Sequence, residues 1–149
     1  MFAGRLPFVD EHATDVAATP ARAWGALLTV VPGSFRGRRT ESVARLLGAS
    51  EARPRGRFGE QGSAIVGFRV AAGGAPTRLA LEGEHRFSRY ALIFHVDPLS
   101  DGRCRVRAET RAEFPGLHGR VYRAAVIGTR GHVVVVMRLL RAIRARAES

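Results

Sequence analysis

Tyr122, Thr129 and His132 are spaced so that a helix running through them would turn a phenol, a hydroxyl and an imidazole to one face. Converging on an enclosed small molecule, these groups could orient it, or move a proton on it with His132 as acid or base and Tyr122 as partner. His85 supplies a second imidazole on a segment of alternating character, where it shares a face with Leu79, Leu81 and Phe87. A purely structural role fits the same residues. Buried without partners they would cost about 1 to 3 kcal/mol each, and bonding one another or a sheet inside a filled core removes that cost.

Other chemistries find less support. The five histidines stand far apart along the chain, Glu82, Glu84 and His85 alternate faces, and no H-x-x-x-H or C-x-x-C pair occurs, so no metal site is expected. Without a nucleophile elbow, P-loop or dinucleotide fingerprint, no cofactor is expected either. Cys104 is the single cysteine; it has no evident base and no intrachain disulfide partner, which suits a reducing cytoplasm. Pro7 and Asp10 interrupt the start before a signal peptide could form, and no apolar run reaches the roughly 18 residues of a membrane span.

The elements that must position these residues can be read in order. Glu11 to Ala18 is short and mixed. Thr19-Pro20 starts a helix by capping and by proline in the first turn, Trp24, Leu27, Leu28 and Val31 give it one apolar stripe, and Pro32-Gly33 ends it. A second short helix is expected from Glu41 to Leu47, closed by Gly48, and Glu51 to Gly62 reads as a loop or a poor edge strand.

From Ser63 the period is two. Ala64, Val66, Phe68 and Val70 belong to one strand, Gly73-Gly74 and Pro76 make a turn, and Leu79 to Phe87 returns as a hairpin partner. Tyr90, Leu92, Phe94 and Val96 share a face of the next strand. After Pro98 to Gly102 turns the chain, Cys104, Val106, Ala108, Thr110, Ala112 and Phe114 share a face of the last, with Arg105, Arg107, Glu109, Arg111 and Glu113 turned to water. Tyr90, Phe94 and Thr110 join the candidate ligand-lining residues. The small Cys104, Ala108, Thr110 and Ala112 leave room for a ligand or for close approach of a helix.

Gly119 to about Ala147 predicts one last helix, about 43 Å long at 1.5 Å per residue. Arg120, Arg123, Arg130, Arg138, Arg141 and Arg144 fall on one arc of it; Val121, Tyr122, Ala125, Thr129, His132, Val133, Val136, Leu140 and Ile143 fall on the other. Four consecutive valines before Met137 favour a strand locally, so tertiary packing has to override propensity there. Val134 and Val135 lie off the core arc, which leaves a homodimer open. Strands in meander order followed by a helix predict an α+β antiparallel architecture, and 149 residues fit one domain over 1–149.

A net charge of +11 would ordinarily raise nucleic acid or an anionic membrane as partner. All 24 basic residues are arginine, however, and they are spread from Arg5 to Arg146, so the charge reads mainly as the composition of a GC-rich genome on a solvated surface.

The segment from Asp15 to Leu27, with Val16, Ala18, Pro20, Trp24 and Leu27, resembles the opening of START-like helix-grip proteins (SRPBCC; polyketide cyclases and birch-pollen-allergen-like binders), although Ala23 replaces their usual valine. Leu81 to Ser88 and Phe114 to Arg123 look like a bacterial branch of unknown function in that superfamily. The resemblance covers nearly all of the chain. It implies a curved antiparallel sheet wrapped around a long C-terminal helix, two short helices after the first strand, and a cavity for a small apolar or amphipathic molecule. Cyclase-like proton transfer on that molecule is an alternative the superfamily also implies.

A rival resemblance runs from Val126 to Met137, where Gly128-Thr129-Arg130-Gly131 is similar to the glycine loop of KH-type RNA-binding domains. That reading requires a break in the last helix at the loop and strands after it, yet only 18 residues follow Gly131. A third reading makes the arginine arc a docking face for a membrane or an acidic protein.

Overall fold

The computed structural model describes residues 2–35, 48–49, 51, 53–71, 74–128 and 130–149. β1 (Phe8–Val16) leads into α1 (Pro20–Ser34), where Thr19 Oγ1 accepts the Arg22 N–H at 3.3 Å and Pro20 opens the helix, as its sequence implies. Leu27 and Val31 are fully buried and Trp24 and Leu28 pack partly against the same core. The helix passes Pro32 and Gly33 to end at Ser34. The second helix expected over Glu41 to Leu47 lies outside the described residues, among which α1 alone stands between β1 and the next strand.

Five further strands follow: β2 (Ala64–Ile65), β3 (Phe68–Val70), β4 (Arg78–His85), β5 (Ser88–Pro98) and β6 (Cys104–Glu113). With β1 they form one antiparallel sheet in the order β1-β6-β5-β4-β3-β2. The single strand expected from Ala64 to Val70 is folded back on itself instead. Gly67 takes φ 88°, which turns the chain between β2 and β3.

The long C-terminal helix is broken. α2 (Gly116–Arg123) passes through a π-type turn at Ala124–Gly128 to reach α3 (Gly131–Glu148). Arg130, between them, is left-handed at φ 58°, a conformation that cannot continue a right-handed helix. The wider turn and the break shift the phase, so the expected core arc is buried in α3, with Val136, Leu140 and Ile143 joined by Leu139 and Ala147, whereas in α2 it keeps Tyr122, half-buried against His85 and Phe87. Val121, placed on that arc by the sequence, is 66% exposed, and Ala125 is exposed as well. The valine run is helical, as packing against α1 and β1 demands. The six arc arginines are exposed, and so are Val134 and Val135.

The sheet's outer face departs in part from its expected exposure. On β6 it meets water through ion pairs, Arg107 to Asp97 at 2.5 Å and to Glu11 at 3.0 Å, and Arg105 to Asp15 at 2.7 Å. On β4 and β5, Ala80, Ala91 and Ile93 are covered by the N-terminal Ala3 and Leu6. Glu82, which alternates with the apolar positions of its strand, is buried there; it accepts the Phe2 and Ala3 N–H groups at 2.7 Å each and meets Arg69 at 3.3 Å. Among the described residues no helix is long and apolar enough to cross a membrane.

Candidate functional site

The sheet's inner face changes character along its strands. The rows His12–Ala108–Phe94–Leu79 and Thr14–Val106–Val96 lead into a packed apolar core with Val16, Leu27, Leu140 and Ile143. The row Asp10–Thr110–Leu92–Leu81 and the next one out, Ala112–Tyr90–Gly83, bring in polar groups. α3 lies along β1 with its first turn over this polar end: His132 Nε2 is 2.5 Å from Asp10 Oδ2, whereas at its far end Glu148 Oε1 accepts the Ala17 N–H at 2.8 Å.

Two clusters occupy the polar end. In the first, Asp10 Oδ2 faces His132 Nε2 and, at 3.3 Å, His12 Nε2. Asp10 Oδ1, His132 Nδ1 and Thr110 Oγ1 are buried and have no hydrogen-bond partner among the described residues. Buried polar atoms are nearly always satisfied, so three in one place mark an unfinished site.

The second cluster is aromatic. His85, which ends β4, packs edge-on against Tyr122 of α2 at 4.7 Å between ring centroids and lies 5.5 Å from Tyr90. Phe87 stacks on Tyr122 at 5.7 Å. His85 Nδ1 accepts the Phe87 N–H at 3.1 Å, so the neutral ring carries its proton on Nε2, 3.3 Å from Ser88 Oγ. Burial pushes the His85 pKa down and the Tyr122 pKa up. The Tyr90 pKa is raised too, chiefly by burial and then by Tyr122 and Glu84, and its O–H donates to the Gly67 carbonyl at 2.6 Å. Gly83 makes this fit: a Cβ there would stand 2.1 Å from Gly67 O and 2.4 Å from the Tyr90 ring.

Of the residues singled out from sequence, Tyr122, His85 and Tyr90 are thus brought together, and His132 and Thr110 meet at the other cluster. Phe94 is apart, fully buried in the apolar core, and Thr129 lies outside the described residues. Sequence reasoning missed Asp10 and His12. The signal was there in Asp10, His12, Thr14 and Val16, which alternate along β1 and end on a buried valine. It also set the histidines apart, whereas the fold brings His12 and His132 to one carboxylate across 120 residues of chain. Among the described residues no group of three His, Cys, Asp or Glu is placed to hold a metal ion. Cys104 is fully buried, and burial and then Asp15 raise its pKa, which leaves the thiol unreactive.

A groove of about 340 Å³ opens elsewhere, on the outside between α1 and the end of α3, lined by Arg22, Gly25, Ala26, Thr29, Arg146, Ala147 and Ser149. The break asked for by the KH reading is present at Arg130, but Gly131–Glu148 is helix throughout, including the stretch from Leu139 on.

No protein-family profile matches the chain, and no curated protein matches it. Solved structures do. A truncated norcoclaurine synthase from Thalictrum flavum superposes with a TM-score of 0.56 at 14% identity, over 93% of this chain and 94% of that one. A protein from Chromobacterium violaceum gives 0.54 at 10% identity over 94% and 96%, and one from Thermus thermophilus gives 0.52 at 15% identity over 95% and 97%. With the six-stranded antiparallel sheet packed on a C-terminal helix, these likenesses show that the chain has the helix-grip fold of START-like proteins.

Proposed function

We propose that residues 1–149 act as one unit that binds a small apolar or amphipathic molecule between the sheet and the C-terminal helices, with the molecule's polar end at the Asp10–His132–Thr110 cluster. The observation that carries this reading is the three buried atoms Asp10 Oδ1, His132 Nδ1 and Thr110 Oγ1, without partners among the described residues, beside an aromatic wall of Tyr90, His85 and Tyr122. Ligand sites are typically apolar and aromatic surfaces with a few convergent polar groups. The fold supports the reading, since a sheet packed on a helix can enclose a molecule between them.

Native mass spectrometry of the protein purified from its own host tests it. An apolar metabolite that travels with the protein and is lost from His132→Leu is the expected result. Nucleic acid that dissociates steeply with salt would overturn it in favour of the glycine loop and the exposed arginines.

A further inference from the structure

Which polar end the site accepts follows from the groups left over in it. Asp10 Oδ2 is taken by the His132 Nε2–H at 2.5 Å and faces His12 Nε2 at 3.3 Å. In the neutral ring, donation through Nε2 leaves His132 Nδ1 as a lone pair. Asp10 Oδ1 is a second acceptor, and Thr110, paired with Asp10 in the register of β1 and β6, adds a hydroxyl able to donate or accept. The unmet demand is therefore for a donor, with room for one acceptor.

We propose that the Asp10–His132–Thr110 cluster is a hydroxyl-recognition site that selects apolar alcohols over carboxylates and phosphates of the same length. An alcohol donates its proton to Asp10 Oδ1 or His132 Nδ1 and accepts from Thr110. An anionic head brings acceptors only, and it brings its charge against the Asp10 carboxylate in a partly buried setting where repulsion is poorly screened. The selection runs against the net charge of +11, which on its own would favour anions. This inference rests on the binding reading above and goes beyond it in naming the ligand's head group.

Isothermal titration calorimetry with 1-octanol and with octanoate at neutral pH separates the outcomes. The site as described binds octanol at least about tenfold more tightly than octanoate. Asp10→Asn, which keeps the shape and removes the charge, shrinks that ratio to about threefold or less, chiefly by improving octanoate. Thr110→Val, also isosteric, removes the hydroxyl that donates to the head group and weakens octanol by about threefold or more, and it serves as the probe if Asp10→Asn fails to fold. Equal binding of both compounds, unchanged in the variants, overturns the hydroxyl site while leaving the binding reading intact. Binding of neither overturns both.

Discussion

The two ends of the interior are built by the same strands and the same helix yet solve opposite problems. At the Val16 end, Leu27, Phe94, Val106, Leu140 and Ile143 are all fully buried, and the contacts are apolar and complete. At the Asp10 end sheet and helices bring together a carboxylate, three imidazoles, a hydroxyl and two phenols, of which three atoms have no partner among the described residues. In the reading proposed above, stability resides in the first and recognition in the second, the division expected where binding needs groups that the fold leaves unmet.

The largest effects should fall on the apolar end. Leu140→Ala leaves a cavity in a fully buried site and should cost about 3 to 5 kcal/mol of unfolding free energy in urea, with the preference for octanol over octanoate unchanged. A cost below about 1 kcal/mol would mean that this end is not close-packed. Next comes Gly83→Ala, whose Cβ would collide with Gly67 O and the Tyr90 ring; overpacking of this kind costs about 1 to 3 kcal/mol, and the Tyr90 side-chain resonances should move with it. Unmoved resonances would break the link drawn between Gly83 and the aromatic wall.

At the polar end the sign reverses. Thr110→Val removes a buried hydroxyl that has no partner among the described residues, so without ligand it should raise stability by about 1 kcal/mol while weakening octanol binding. Loss of stability would show that the hydroxyl is already satisfied. The smallest effect is a pH slope. Burial lowers the folded-state pKa of His85 below its ordinary 6.5, so below that pH the unfolded chain binds more protons; the contribution is present above about pH 6.5 and is lost as pH falls toward the folded value. His85→Gln should flatten the stability curve between pH 7 and about 5. An undiminished slope would locate the titrating group elsewhere.

β4, β5 and β6 were legible because alternation is a local property: they fall where Leu79 to Phe87, Tyr90 to Val96 and Cys104 to Ala112 put them, to within two residues at their ends. The cap at Thr19 and the arginine-bearing surface were legible for the same reason. What was hidden depends on contacts far apart in sequence. Glu82 is buried because a segment 79 residues away covers it, and Asp10 meets an imidazole because His132 arrives from 122 residues away. The break at Arg130 was legible only as a glycine loop, since a helical wheel assumes one unbroken phase and carries Val121 to the wrong side.

The most direct measurement is a titration of isotope-labelled protein with 1-octanol, following the imidazole resonances of His85 and His132 beside the backbone amides of Arg22, Thr29 and Arg146. Saturable shifts at His132 and His85, with the groove amides still, are the predicted result. Shifts confined to Arg22, Thr29 and Arg146 would place the binding in the outer groove between α1 and α3 and contradict the assignment of the polar interior end as the recognition site.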